Sequence, residues 1–183
     1  MTNLPSVFIS LLKLNNEPLI EFDLANCQPL LLANEFESDG MIKISTEGGY
    51  FYKWLWGSID ADLPVKVVKR NFLSMMFSKR NNTPIADRIF EIIKEEQPEF
   101  ADRFKKKRGK ELSLLLRRRE SKLFIDTIYR EIVKRDIPAF TRHDGITTTQ
   151  SKCDEVESII KESMESFSIK GEVRLNTFDV RVI

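Results

Sequence analysis

The sequence predicts an α+β fold in which a small antiparallel sheet packs against helices. Three observations lead to this fold class: an alternating apolar and acidic run near residue 20, helical hydrophobic periodicity from about 64 to 135, and a return to β-prone residues after Asp136. The chain has 183 residues, of which 42% are hydrophobic and 31% charged, with 7 Gly and 7 Pro. This composition is typical of one globular domain. We therefore expect a single domain over residues 1–183.

The first predicted elements are a short strand and a helix. Residues 19–23 alternate apolar and acidic side chains, so they predict a strand that ends on the carboxylate of Asp23. A helix is expected from about Asn26, because Pro29 is tolerated in a first helical turn.

The middle of the chain is predicted to be helical. Turns are expected at Asp39-Gly40 and Gly48-Gly49, and the aromatic cluster after them is expected to pack under the basic middle. From Pro64 the apolar residues recur with helical period, and further helices are expected over 84–94, 98–107 and 109–135. The inward positions predicted for the last of these helices are Leu112, Leu115, Leu116, Leu123, Ile125, Ile128 and Ile132.

The chain is predicted to end with a hairpin, a helix and a strand. Residues 137–142 and 146–149 are β-prone runs, and the tight turn between them contains His143, Asp144 and Gly145. The expected hairpin thus carries Asp144 at its tip. A helix over 152–167 and a strand over 172–182 follow.

Charge is distributed unevenly along the chain. Residues 1–60 contain 3 Lys and Arg against 8 Asp and Glu, residues 61–135 contain 20 against 11, and residues 136–183 contain 6 against 9. A basic middle between two acidic ends indicates a surface that meets phosphates. The alternative is an ordinary solvated helix face.

Several classes of protein and site are excluded or disfavoured. No apolar run approaches the roughly 20 residues of a membrane span, and the first residues lack signal-peptide features, so no membrane partner and a cytoplasmic location are expected. Cys27 and Cys153 are too few for a disulfide framework or a zinc site. His143 is the single histidine, which excludes mechanisms that need two imidazoles.

Asp23 and Asp144 are the candidate metal ligands. They lie 121 positions apart, but a strand end and a hairpin tip can be neighbours in an antiparallel sheet. Two carboxylates without imidazole or thiolate favour Mg²⁺ or Mn²⁺, and two such ions can support phosphoryl transfer. The alternative for each aspartate is a turn residue without a ligand.

Three stretches resemble, in order, the motifs of the family A nucleic-acid polymerases, which include bacterial DNA polymerases and single-subunit phage-type RNA polymerases. Residues 21–28 (EFDLANCQ) look like motif A, whose aspartate binds both metals. Residues 66–78 (KVVKRNFLSMMFS) resemble motif B, in which an aromatic follows the lysine after eight residues, as Phe77 follows Lys69. Residues 140–145 (FTRHDG) are similar to motif C, the His-Asp hairpin. The resemblance covers roughly residues 19–182.

The resemblance implies a palm-like sheet, a helical fingers-like insertion at about 57–108, and DNA polymerase-like nucleotidyl transfer in DNA replication. Its expected partners are a primer-template and a nucleoside triphosphate, and its expected cofactor is Mg²⁺ or Mn²⁺. The catalytic residues would be Asp23, Asp144 and Lys69. Asp23 would bind both metals with the Leu24 carbonyl assisting, and Asp144 would be the second metal ligand. Nucleotide contacts would come from Lys66, Lys69, Arg70, Gln28 and Phe77. Nucleic-acid contacts would come from His143, Lys105, Lys106, Lys107, Arg108, Arg117, Arg118 and Arg119.

The sequence departs from the family pattern at several positions. Ser78 replaces a glycine after the motif B aromatic, and Val65 stands where an arginine is expected. Gly145 replaces the acidic residue of the DNA enzymes, a loss that the RNA enzymes also show. Gln28 and Phe77 leave sugar choice open, with a lean towards deoxyribonucleotides. Only about 20 residues precede motif A. A further chain or segment would then supply the thumb, and the alternatives are a polymerase fragment or a non-catalytic relic that binds nucleic acid. A structural protein without nucleic-acid contact is the third interpretation.

Overall fold

Strand β2 (Glu17–Leu24) has partners on both of its edges. The computed structural model describes residues 12–46, 51–59, 62–142 and 145–177. Within these residues β4 and β5 pair with the two opposite edges of β2, the short β1 also pairs with β2, and β3 pairs with β4. All of these pairs are antiparallel. The other strands are β1 (Lys13–Leu14), β3 (Ala139–Arg142), β4 (Gly145–Thr149) and β5 (Val173–Thr177).

Helices make up most of the rest of the described chain. Their bounds are α1 (Cys27–Glu35), α2 (Asp39–Thr46), α3 (Phe51–Ile59), α4 (Val65–Phe77), α5 (Pro84–Glu96), α6 (Pro98–Lys107), α7 (Lys110–Ser121), a π-helical segment (Lys122–Tyr129), α8 (Arg130–Lys134) and α9 (Cys153–Ser166). None of the helices in the described ranges combines the length and the apolar character that crossing a bilayer requires.

The chain divides into two compact units. The sheet unit contains the described residues of 1–25 and 120–183, and the helical unit contains those of 26–119. The α+β class with a small antiparallel sheet is confirmed. The prediction of a single palm-like domain with a fingers-like insertion at about 57–108 stays a prediction.

The core of the sheet unit lies on one face of β2. Ile20, Phe22 and Leu24 alternate along the strand and are at most 3% exposed, because successive side chains of a strand point to opposite faces. The π-helical segment and α9 pack against the sheet with side chains that include Leu123, Phe124, Ile128, Ile160 and Met164. The other face of β2 carries Glu21 and Asp23 together with the buried Leu19.

The core of the helical unit is built around Phe72 of α4. Its ring lies edge-on to Phe51 of α3, with 4.8 Å between ring centroids, and stacks on Phe104 of α6 at 6.4 Å. Aromatic pairs in these arrangements add attraction beyond the area they bury. The aromatic cluster therefore packs against the basic helix α4, as expected, although Tyr50 lies outside the described residues.

Two local predictions were wrong, and Gly48-Gly49 lies outside the described residues. Asp39-Gly40 does not form a turn but begins α2, where an acidic first-turn residue is favourable. A Cβ at Gly40 would overlap the end of the flexible Gln97 side chain, which lies against this glycine. Ile125 is 42% exposed rather than inward, since the wider π-helical turn changes which positions share a face.

Thr83 links the middle of α4 to the start of α5. Its hydroxyl donates to the buried Asn71 Oδ1 at 2.6 Å and accepts from the backbone N–H of Ala86 at 3.1 Å as the N-cap of α5. Asn71 is two residues beyond Lys69 on α4. The Thr83 hydroxyl therefore ties the capped start of α5 to the helix that carries the predicted motif B lysine.

We expect Thr83→Ala to lower the free energy of unfolding by about 2 kcal/mol, because it removes a helix cap and leaves a buried amide oxygen without its donor. Thr83→Ser keeps the hydroxyl and should stay within about 0.5 kcal/mol of the wild type. Urea denaturation followed by circular dichroism measures both. Equal losses for the two variants would contradict this role of the hydroxyl.

Candidate functional site

Asp23 lies at the centre of the sheet and faces away from its apolar core. The register pairs Asp23 with Gly145 of β4 on one side and with Arg174 of β5 on the other. Directly opposed residues of antiparallel strands point to the same face. Asp23 is half-buried and shares this face with Glu21. The strand predicted to end on this carboxylate thus presents it beside the hairpin strand β4.

His143 and Asp144 lie outside the described residues. Their chain neighbours are Arg142, the last residue of β3, and Gly145, the first residue of β4. Gly145 follows Asp144 directly in the sequence and is the register partner of Asp23. The hairpin predicted here is present in its two strands, and the sharing of cations by the two aspartates stays a prediction.

Gly145 sits where two backbones approach closely. A Cβ at this position would lie 2.9 Å from the Phe22 carbonyl oxygen and 3.3 Å from the Arg142 carbonyl oxygen. Both neighbours are backbone atoms of paired strands, so neither can move without disturbing the sheet. The departure from the family pattern at this position therefore has a local structural reason.

An ion pair that the sequence analysis missed crosses the sheet next to Asp23. Nη1 of Arg142 donates to both carboxylate oxygens of Glu21, at 3.2 and 3.3 Å. The two side chains are 17% and 13% exposed. The sequence signal was the alternation that puts Glu21 on the face of Asp23, but nothing in the sequence identified Arg142 as its partner.

The donors at this face are the kind that Mg²⁺ and Mn²⁺ prefer. Mg²⁺ is usually held by one or two carboxylates together with water and substrate phosphates, and Asp23 supplies one such carboxylate. Leu24, whose carbonyl is the other predicted metal ligand among the described residues, pairs with Val173 in the β2–β5 ladder. The described residues contain no group of three or more His, Cys, Asp or Glu side chains placed to hold a metal. Among the described residues Asp23 thus supplies one oxygen donor that suits a hard cation, and a metal site with Asp144 as the second carboxylate stays a prediction.

Helix α4 of the helical unit presents its cationic residues to solvent. Lys66, Lys69 and Arg70 are exposed, whereas Phe72 and Met75 are fully buried. Nζ of Lys69 lies 5.5 Å from the centroid of the Tyr52 ring, within the range of a cation–π contact. The helix thus holds Lys69 over an aromatic ring while its charge stays accessible.

Phe77 and Arg117 are brought together at the end of α4. Phe77 is 37% exposed, and the guanidinium carbon of Arg117 lies 6.0 Å from its ring centroid. Gln28 is half-buried in α1. The proposed nucleotide contacts of Phe77 and Gln28 stay predictions.

The residues of the helical unit that are predicted to bind nucleic acid differ in their exposure and in their contacts within the protein. Lys105, Lys106 and Arg118 are exposed, and Nζ of Lys107 lies 5.7 Å from the Phe36 ring centroid. Arg119 forms an ion pair of 2.5 Å with Glu35.

Arg108 is held by the fold of the helical unit. It donates to Asn81 Oδ1, and its guanidinium lies 5.6 Å from the ring centroid of Phe90. Burial lowers the pKa of this guanidinium, although an arginine remains protonated near neutral pH. Contacts to nucleic acid would therefore come more easily from Lys105, Lys106 and Arg118.

The fold is similar to that of solved structures, among them a polymerase domain. It is the POL domain of Pol1 from M. smegmatis in complex with DNA primer-template and dNTP. The TM-score is 0.54 at 11% sequence identity, and the match covers 88% of this chain and 40% of that one. No protein-family model and no curated protein matches the chain. The expected resemblance to a polymerase domain is thus supported in the fold, and this chain spans well under half of the matched structure.

We expect Gly145→Ala to lower the free energy of unfolding by about 1–3 kcal/mol, because the new methyl group would overlap the Phe22 carbonyl. Gly57→Ala is the matched control, since a Cβ at that position of α3 meets nothing within 4 Å. It should raise stability by about 0.5–1 kcal/mol, the usual gain from replacing a helical glycine. Thermal and urea unfolding measure both variants, and a neutral Gly145→Ala would contradict the close approach.

Proposed function

We propose that this chain carries the catalytic centre of a DNA polymerase-like nucleotidyltransferase, which adds nucleotides to a primer 3′-hydroxyl on a nucleic-acid template. The observation that carries the proposal is the β2–β4 register, which pairs Asp23 with the residue that follows Asp144. The similarity of the fold to a POL domain supports the same conclusion. Because the chain spans only part of that structure, we propose that a further chain or segment supplies the thumb.

The two aspartates would act as metal ligands. Asp23 and Asp144, with the Leu24 carbonyl, would hold Mg²⁺ or Mn²⁺ through oxygen atoms. Bound ions of this kind stabilise the charge that develops on the attacking and leaving oxygens of a phosphoryl transfer. The half-buried position of Asp23 supports this role, since electrostatic interactions strengthen where water is partly excluded.

Lys69 would stabilise the pyrophosphate leaving group. Its Nζ would neutralise the triphosphate and donate a proton to the departing pyrophosphate, a type of assistance that suits a reaction dominated by positioning and charge. Lys66 and Arg70 are exposed on the same helix and would add to the field around the phosphates. Gln28 and Phe77 would contact the nucleotide, and His143 would contact the primer end.

The exposed basic residues of α6 and α7 would bind the nucleic-acid backbone. Lys105, Lys106 and Arg118 extend into solvent, and Arg117 lies beside Phe77. Phosphate contacts of this kind position a duplex without reading its sequence. The same residues favour the second candidate function, a polymerase relic that binds nucleic acid without catalysis, because that function needs neither aspartate.

Primer extension tests the catalytic proposal. We expect Asp23→Asn and Asp144→Asn each to lower the rate of nucleotide addition by at least about 100-fold, because each removes a charge that stabilises the transition state. The assay uses a labelled primer-template with Mg²⁺ or Mn²⁺ and each nucleotide. Equal extension by the wild type and both variants would trace the signal to a contaminant. Salt-sensitive DNA binding without extension would favour the relic.

Lys69→Met should lower the rate of addition by about 10- to 100-fold, less than the aspartate variants, because Lys66 and Arg70 can replace part of its charge. Lys94→Met is the matched control: Lys94 is 57% exposed on α5, forms a long 3.9 Å ion pair with Glu91 in its own helix, and has no proposed role. Single-turnover incorporation measures both variants. A Lys69→Met rate equal to that of Lys94→Met would refute the assignment.

The double substitution Lys105→Gln and Lys106→Gln should weaken DNA binding. It should also make the negative slope of log affinity against log salt shallower, by about 0.9 for each phosphate that these lysines neutralise in the wild type. Lys161→Gln is the control, because Lys161 is also exposed but lies on α9 in the sheet unit, where it pairs with Glu157 at 2.6 Å. Fluorescence anisotropy at several salt concentrations measures the slopes. An unchanged slope in the double variant would exclude these lysines from the interface.

A further inference from the structure

The Glu21–Arg142 ion pair connects two strands that are not neighbours. Arg142 of β3 is the register partner of Gly145 in β4, and Gly145 is in turn the partner of Asp23 in β2. From β3, the Arg142 side chain reaches across β4 to both carboxylate oxygens of Glu21. One ion pair therefore ties the outer strand of the hairpin to the strand that carries Asp23.

Gly145 lies under this ion pair. A Cβ at residue 145 would come within 3.4 Å of Cγ of Glu21, in addition to its closer approach to backbone atoms. A larger side chain at the middle strand would stand between the two partners. The glycine that departs from the family pattern is thus part of the arrangement that allows Glu21 and Arg142 to meet.

Each residue of the ion pair lies two positions before one of the two proposed metal ligands. Glu21 precedes Asp23 by two residues on the same face of β2, and Arg142 precedes Asp144 by two residues at the end of β3. Both charged side chains are less than a fifth exposed. In such surroundings an ion pair holds its geometry firmly, and loss of one partner leaves a poorly solvated charge.

We propose that Glu21 and Arg142 are positioning residues for the divalent cations. Their ion pair fixes the end of β3 to β2 beside the site, and it engages a third carboxylate that would otherwise compete as a ligand. This inference rests on the proposed function, because it needs a cation held by Asp23 and Asp144. Groups that orient metal ligands commonly change metal affinity by about 10- to 100-fold when they are replaced.

Because Arg142 is positively charged, a positioning role and a purely electrostatic role predict opposite effects of its removal on cation affinity. Removing a positive charge beside a cation site would tighten cation binding if only Coulomb attraction mattered. Release of Glu21 as an extra ligand would tighten it as well. Positioning makes the opposite prediction, namely that Arg142→Gln weakens cation binding.

The experiment is a Mn²⁺ titration of the full chain at constant ionic strength, with free Mn²⁺ measured by electron paramagnetic resonance and without nucleotide or DNA. We expect Arg142→Gln to weaken Mn²⁺ binding by about 10-fold or more, and Arg142→Lys to recover part of the affinity. Arg135→Gln is the matched control, since it breaks a 3.2 Å ion pair with Glu131 elsewhere in the sheet unit. Its affinity should equal that of the wild type.

Three results would overturn the inference. Mn²⁺ binding by Arg142→Gln as tight as in the wild type, or tighter, removes the positioning role while Asp23-dependent binding still supports the proposed function. Mn²⁺ binding that Asp23→Asn leaves unchanged removes the metal site and this inference together. If circular dichroism shows that Arg142→Gln does not fold, the neutral double variant Glu21→Gln with Arg142→Gln takes its place. Undiminished affinity in that variant is the third overturning result.

Discussion

The antiparallel pairing of β2 with β4 is the constraint on which the sheet unit depends. It brings residues that are more than 120 positions apart into register, with Glu21 opposite Thr147 and Asp23 opposite Gly145. A slip of one residue would reverse the faces of β2, exposing Phe22 and burying Asp23. The apolar packing of Ile20, Phe22 and Leu24 on one face therefore also determines that the acidic residues occupy the other.

The helices of the helical unit bury one face in an aromatic core and expose cationic side chains on the other. Phe72 is completely buried between aromatic neighbours, and Lys69 on the same helix remains exposed over the Tyr52 ring. A rigid helix loses little conformational entropy when its lysines meet phosphates. This division between a packed face and a basic face suits the role proposed for α4.

Much of the local structure could be predicted from periodicity. The bounds of α6 agree fully with the prediction, and the start of α4 and both bounds of α5 and α9 agree within two residues, because apolar spacing and proline positions act over a few residues. The failures had tertiary or geometric causes. Gly40 lies in the first turn of α2, against the Gln97 side chain, and Ile125 is exposed because residues 122–129 adopt a π-helical turn.

The sequence by itself determined the α+β class, the strand that carries Asp23, the hairpin strands on either side of His143 and Asp144, and the basic face of α4. Each of these follows from patterns within a short stretch of chain. Tertiary structure decided that Glu21 pairs with Arg142 and that Gly145 must lack a side chain. Both facts arise from strand register, which brings together side chains 121 positions apart, and no local pattern specifies which distant residue will stand opposite.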